Sequence, residues 1–222
     1  MNSGTPPSDA PDARDAPRRK RLTADQRRAS ILRAATEVFA ETGYQRGRTS
    51  AVAARGGVSE PVVFHNFGSK AALYAAVLEH AVTTVSDELN RAVRDGGSVP
   101  EALARFLDPE HVARFHRPGS LGYLFADATS LSADPDVGEA ARRSLRRFVD
   151  ELAGVLREGQ EAGGIRRDVN AESAAWWLLS MLATRTFRAV AMPDPLVLEA
   201  DLTSMTLSTL TVADRDGGRT PV

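Results

Sequence analysis

The sequence predicts an all-α chain in which a small N-terminal helix-turn-helix unit of three helices precedes a larger helical body. Between Thr49 and Lys70 two short helix-forming runs are joined by Gly56-Gly57 and followed at once by a third helix start at Ser69. Apolar residues recur at helical spacing from Ile31 to Phe39, from Leu73 to Leu89 and from Val137 to Leu156. Caps, first-turn prolines and glycine stops punctuate these runs where helices should begin and end.

Residues 1–22 hold four prolines and almost no bulky apolar side chains, so they cannot offset the entropy of ordering and are expected to be disordered. Their basic run Arg18-Arg19-Lys20-Arg21 is either a solvated charge run or an arm for phosphates or a minor groove. Thr23 and Gln26 have capping-box spacing and should start the first helix, with Ile31, Leu32, Ala35, Val38 and Phe39 on its buried face and Gly43 as its stop. Thr49 is expected to cap the second helix, with Val52 and Ala53 buried, and Gly56-Gly57 to end it. Ser59 is expected to cap the third, with Pro61 in the first turn, where no backbone N–H is needed. That third helix, the recognition helix, is about two turns long before Gly68.

From Ala71 a fourth helix runs through Leu73, Val77, Leu78, Ala81, Val85 and Leu89 to about Arg94, where Gly96-Gly97 stops it. Residues 100–107 read as a short helix, Pro109 and Pro118 break the pattern, and 121–131 is a further apolar helix. Asp134-Pro135 is read as a cap and first-turn proline opening a long amphipathic helix that closes at Gly163-Gly164. Its arginines 142, 143, 146, 147 and 157 are interleaved with acids and read as a solvated face. Asp168 or Asn170 caps a helix that is apolar nearly all round from Ala174 to Ala183, which calls for burial on two sides. Asp194-Pro195 starts the last helix, and a polar tail comes after it.

Composition narrows function by exclusion. There is no cysteine, which removes disulfides, zinc-thiolate sites and thiol chemistry together. No serine elbow, phosphate-cradling glycine loop or metal-spaced His/Glu set is present, so neither an enzyme nor a cofactor is expected. His111 and His116 are five apart and do not share a helical face, so no metal site is expected there. The longest apolar run, 174–179, is too short to span a bilayer and the N-terminus lacks a signal core, so a cytoplasmic protein is expected, with no membrane partner.

The net charge of −1 conceals an asymmetry. Residues 18–70 carry 11 Lys and Arg against four acids, a net +7, whereas 1–17 carry −2 and the remainder from Ala71 carries −6. Basic charge concentrated on the helix-turn-helix is the footprint of a DNA-binding module on an acidic body.

Many spaced positions in residues 25–80 together resemble one known family. Ile31-Leu32-Arg33-Ala34-Ala35, Phe39-Ala40-Glu41-Thr42-Gly43-Tyr44, Val52-Ala53, Gly57-Val58-Ser59, Phe64-His65-Asn66-Phe67, Ser69-Lys70 and Leu73 are similar to the DNA-binding domain of tetracycline-repressor (TetR) family transcriptional regulators. The resemblance implies a homodimer: each N-terminal domain places its third helix in a major groove, and a larger C-terminal domain dimerises and binds a small ligand. It implies phosphate contacts from Thr49 and Lys70, and DNA-facing positions at Ser59, Glu60, Pro61, Val62, Phe64 and His65. Phe64 stands where the family usually has a tyrosine whose hydroxyl reaches a phosphate. Arg48 stands where a second threonine is common, and is expected to supply a charged phosphate contact instead.

Side-chain chemistry adds detail to that pattern. Pro61 and Val62 can make only apolar contacts, with the thymine methyl as the natural partner, and Glu60 can accept from a cytosine amine or serve the helix dipole. Phe67 is expected in the core. Phe106, Phe115, Tyr123, Phe125, Trp176, Met181 and Phe187, with Arg185 as a polar anchor, are candidates for an effector cavity, and each also fits ordinary core or a subunit interface. An apolar or aromatic effector is therefore expected.

The expected division is a basic arm at 1–22, the helix-turn-helix domain at 23–70, a ligand-binding and dimerisation domain at 71–213 and a flexible tail at 214–222. The function read from the chain is a ligand-responsive regulator, most simply a repressor, binding a pseudo-palindromic double-stranded DNA operator as a homodimer through its two C-terminal helices. Two rivals are a helical small-molecule-binding protein without sequence-specific DNA function, which leaves Arg48, Lys70 and the basic arm unexplained, and an architectural DNA binder with no pocket.

Overall fold

Thr23 begins the first helix as its spacing requires: its hydroxyl accepts from the Gln26 amide at 3.2 Å while the Gln26 side chain accepts from the Thr23 amide at 3.0 Å. The computed structural model describes Met1 and residues 23–95, 97–131, 133–192 and 194–212. The basic run Arg18-Arg19-Lys20-Arg21, Gly96 of the expected Gly96-Gly97 stop, and the C-terminal tail lie outside the described residues.

Among the described residues the chain is all-helical apart from an isolated bridge between Ile165 and Thr211. Helix α1 spans Ala24–Arg46, α2 Thr49–Gly56, α3 Glu60–Phe67 and α4 Lys70–Arg94. The body adds α5 Val99–Phe106, α6 Pro109–Phe115, α7 Leu121–Ser130 and α8 Gly138–Glu161, then α9 Ala171–Ala183, α10 Arg185–Ala191 and α11 Pro195–Leu210. None is long and apolar enough to cross a membrane.

Gly43 does interrupt α1. Its φ of 71° and ψ of 174° lie where essentially only glycine is found, and the break re-aims the last turn, Tyr44 to Arg46.

Several boundaries differ from expectation for identifiable reasons. Thr49 is the first residue inside α2 rather than its cap; Arg48 occupies the cap position, and the Thr49 hydroxyl is directed to Glu60 instead. Ser59 sits at the cap of α3 without a side-chain cap bond, whereas Ser69 caps α4 by accepting from the Ala72 amide at 3.0 Å. Pro109 does not break the chain but starts α6, because Asp108 accepts from the Glu110 and His111 amides and Pro109 needs no donor in the first turn. Asp134-Pro135, the same pair of residues, forms a turn: Asp134 accepts from the amides of Asp136 and Val137, and α8 begins only at Gly138. Asn170, not Asp168, caps α9, since Asp168 is held by Arg166.

Buried side chains form a continuous cluster from Ile31, Phe39, Val52, Val63 and Phe67 through Leu73, Tyr74, Val77 and Leu78 of α4 to Leu124, Ala128 and Leu131 on or just after α7. A second cluster joins α5, α8 and α9 around Leu103, Leu152, Leu156 and Leu178. Polar side chains tie α4 to α8, with Glu79 accepting from Arg147 at 2.8 Å and Ser144 at 3.1 Å. A nearly buried pair, Arg188 and Glu199, locks α10 to α11 at 2.8 Å. Helix α9 is not buried on two sides in the single chain: Trp176 is 42% and Trp177 60% exposed.

Candidate nucleic-acid interface and effector cavity

The turn between α2 and α3 works because Gly57 adopts the left-handed conformation, φ 64°, that ends α2 and lets the Val58 amide reach the Ala53 carbonyl at 3.0 Å. Val52 and Ala53 of α2 and Val63 and Phe67 of α3 then bury against α1. That burial fixes what α3 presents. Pro61, Phe64 and His65 are exposed, Phe64 by 41%, while Glu60 and Val62 are half-buried.

Two of the basic residues in this segment are engaged in structure. Arg28 lies over the Phe67 ring, 4.1 Å from its centroid, and donates to the Asn66 carbonyl at the end of α3. Arg55 makes a paired contact to Glu41 at 2.8 and 2.9 Å. That contact holds the Glu41 carboxyl below its ordinary range and the Arg55 guanidinium above.

Beside α3 an open groove is lined by Gln45, Arg46, Gly47, Arg48, Thr49, Ser50, Glu60 and Lys70. Lys70 stands 4.5 Å over the Tyr44 ring and donates to the Gln45 carbonyl at 3.3 Å. Its partial burial lowers its pKa, and the Asp127 carboxylate opposes that shift. Three cations around exposed backbone can take a phosphate; Glu60 is the acid that opposes them. Ser59 is exposed at the start of α3.

A second concavity lies in the body between α6, α7, α8 and α9. It has a volume of about 210 Å³ and an apolar wall that includes Phe115, Phe125, Leu145, Phe148 and Leu179. Phe125 stacks on Phe148 with centroids 4.9 Å apart. His116, Thr129 and Ser180 are its polar members. Burial first of all pushes the His116 pKa down, while its Nδ1 keeps a 2.8 Å contact with the Val112 carbonyl.

Of the residues proposed for an effector cavity, Phe115, Phe125 and Trp176 line this one. Phe106, Tyr123, Met181 and Arg185 do not. Phe106 packs into the core beside Phe115, Met181 turns its sulfur to the Thr206 hydroxyl, and Tyr123 and Arg185 lie half-buried elsewhere. Phe187 is 76% exposed. His116, which with His111 the sequence suggests as a surface or pocket-edge residue, is at this cavity, whereas sequence reasoning missed the α7 wall, Gly122, Ala126 and Thr129, although small residues recurring about once per turn were the available signal.

This arrangement, a glycine-turned helix pair beside a basic groove with an apolar cavity in the body, defines a helix-turn-helix DNA-binding regulator. Residues 31–77 match the family model described as bacterial regulatory proteins, tetR family. The chain is 29% identical over 173 residues to the HTH-type transcriptional activator FasR of Mycolicibacterium smegmatis, covering 72% of this chain and 76% of FasR. It is 28% identical over 167 residues to the HTH-type transcriptional repressor NicS of Pseudomonas putida, covering 72% and 74%. The fold matches that of the transcriptional regulator FadR from Bacillus subtilis, solved in complex with stearoyl-CoA, with a TM-score of 0.58 at 19% identity over 82% of this chain and 98% of FadR. Residues 31–77 therefore form a DNA-binding domain of the tetR kind, and the chain is a DNA-binding transcriptional regulator rather than an enzyme.

Proposed function

We propose that this regulator acts in the cytoplasm as a ligand-responsive repressor, binding a pseudo-palindromic operator as a homodimer and leaving it when an apolar or aromatic effector fills the body cavity. The observation that carries the reading is the coexistence of the basic groove beside α3 with an apolar cavity in the body. NicS is by name a repressor and FasR by name an activator, so the relatives support a regulator of either sign, while FadR, solved with stearoyl-CoA, supports an apolar effector.

Arg48, Thr49 and Lys70 would hold phosphates, while Pro61, Val62, Phe64 and His65 face base edges and Glu60 sets a preference between them, with Ser59 at the helix start. Phe115, Phe125 and Trp176 are the effector contacts retained from sequence. The dimer would form through α9 and α11, whose exposed Trp177, Val197 and Met205 are unpartnered apolar surface in the single chain. Effector binding would shift the population away from conformers in which the two α3 helices reach successive major grooves, about 34–36 Å apart.

Selection of bound duplexes from a random pool tests this directly. A palindrome with half-sites one helical turn apart is expected, and its binding should be abolished by an apolar ligand that quenches tryptophan fluorescence. Recovery of no preferred sequence would instead favour the architectural rival; no DNA binding at all would favour the small-molecule-binding one.

A further inference from the structure

Helix α7 has two working faces. Gly122, Phe125, Ala126 and Thr129, at helical spacing, form one wall of the cavity. Leu124 and Ala128, with Leu131 just beyond the helix, form the other face and are part of the same buried cluster as Ile31, Phe39, Val52 and Val63 of the DNA-binding end. The residue between them on that second face is Asp127.

Its carboxylate is engaged with the DNA-binding end. Oδ2 accepts from the Tyr44 backbone amide at 2.8 Å and from the Tyr74 hydroxyl at 2.5 Å. Oδ1 lies where a side chain at position 43 would begin: a Cβ on Gly43 would stand 2.6 Å from it. The break at Gly43 therefore frees the Tyr44 amide from the helix and brings it to Asp127 with no side chain between. Tyr44 in turn carries Lys70 over its ring, and the next residue, Gln45, accepts from Lys70. The rings of Tyr44 and Tyr74 are 5.0 Å apart, so the two donors to Asp127 are also packed on each other.

We propose that Asp127 is a positioning residue for DNA binding: it latches the cavity wall to the Tyr44–Gln45 turn that seats Lys70, so that the contents of the cavity set the geometry of the phosphate groove. This rests on the reading of that groove as the DNA-contacting surface. Filling the cavity displaces α7, the wall that it shares with the DNA-binding end, and a carboxylate held by two directional hydrogen bonds has no alternative arrangement that preserves both.

The test uses the full chain and the selected duplex, with Asp127→Asn, Tyr74→Phe and the cavity-filling Ser180→Phe made from the opposite wall; Ala183→Phe is a second filler in case the first fails to fold. Circular dichroism and melting temperature establish that each variant is folded. Asp127→Asn and Ser180→Phe are each expected to weaken operator binding by about tenfold, within the ordinary range of coupling between sites. Tyr74→Phe, which keeps the ring and loses one bond, is expected to weaken it less. The double variant should be no weaker than either single one. Unchanged affinity in Asp127→Asn, or losses that add fully in the double variant, would overturn the latch.

Exchange of the Tyr44 amide, measured without DNA, gives an independent reading: Ser180→Phe should accelerate it, and no change would overturn the latch even if operator binding fell. Failure of the wild type to bind any duplex would refute the groove assignment, and would be told apart from failure of the latch by that exchange rate.

Discussion

The Thr49 hydroxyl donates to the Glu60 carboxylate, joining the first residue of α2 to the first residue of α3. Both groups line the groove that Arg46, Arg48 and Lys70 make basic. A phosphate must displace Glu60 to take the Thr49 proton, and the carboxylate repels that phosphate. On the proposed reading of this groove, Glu60 opposes phosphate binding to any duplex, beside whatever preference it sets between bases, and its bond to Thr49 joins α2 to α3. Glu60→Gln removes the charge and keeps an acceptor for Thr49. Binding to operator and non-operator duplexes should both tighten, by about fivefold at low salt, which is the ~1 kcal/mol expected for one charge pair a few ångströms apart in water. Fluorescence anisotropy on the two duplexes measures it. A loss confined to the operator would mean that Glu60 reads a base instead.

Lys70 has the opposite sign. It is seated by Tyr44 and the Gln45 carbonyl, and one phosphate contact fewer should weaken all sequences alike. Lys70→Ala is expected to lower the salt slope of binding by about one without changing specificity. Because burial depresses its pKa, Lys70 gives up its proton at a lower pH than an exposed lysine does. Phosphate binding must then be accompanied by proton uptake on the alkaline side, so affinity should fall as pH rises there. Lys70→Arg should flatten that fall, since a guanidinium stays charged. Operator titrations at several alkaline pH values check the sign.

The parts of this machinery that were legible in the sequence are those fixed by local chemistry. Thr23 and Gln26 announce a capping box within four residues, and Gly57 and Gly68 mark turns that demand positive φ. Asp-Pro was not sufficient. At Asp108-Pro109 the chain continues into α6, which buries Val112; at Asp134-Pro135 it must first place Val137, fully buried, in the core and only then begins α8. Tertiary contacts of the residues downstream decide whether the pair opens a helix or a turn. Helix α10 buries none of its residues and has no apolar period to read, its position being set by the Arg188 to Glu199 pair. The cavity was half-legible because aromatic residues attract notice, whereas a wall made of Gly122, Ala126 and Thr129 is defined by what is missing.

Gly43 offers a test of strain independent of DNA. At φ 71° and ψ 174° a side chain is strained in itself, and here its Cβ would also meet Asp127. Gly43→Ala should destabilise the fold by about 2 kcal/mol, within the 1–3 kcal/mol typical of such backbone positions. For a chain of this size that corresponds to a melting temperature lowered by roughly 4–8 °C. Measured against Asp127→Ala alone, which itself loses the bonds to Tyr44 and Tyr74, the Gly43→Ala cost should shrink by the part owed to the clash and keep the part owed to φ. Calorimetry on the two single variants and the double variant separates the contributions, and a Gly43→Ala cost that vanishes in the Asp127→Ala background would show that the backbone itself is unstrained.

The exposed apolar residues of the last helices make the proposed pairing testable without disturbing the core. Val197 is 68% and Met205 63% exposed, both on α11, and Trp177 of α9, linked to Thr206 by its indole N–H at 3.4 Å, is 60% exposed. A single chain gains nothing from leaving such side chains in water, and each one buried between two copies contributes roughly 1.5–3 kcal/mol. Met205→Glu and Val197→Glu place charges on that surface, where an unpaired carboxylate is tolerated by the monomer but not inside an interface. Sedimentation velocity should find the wild type at twice the 23.8 kDa chain mass and the double variant at the single mass, with its helicity unchanged. Binding to a full palindrome should fall to the level of a half-site, because the two α3 helices are then no longer tethered and the gain from effective concentration is lost. A double variant that remains dimeric would remove α11 from the interface.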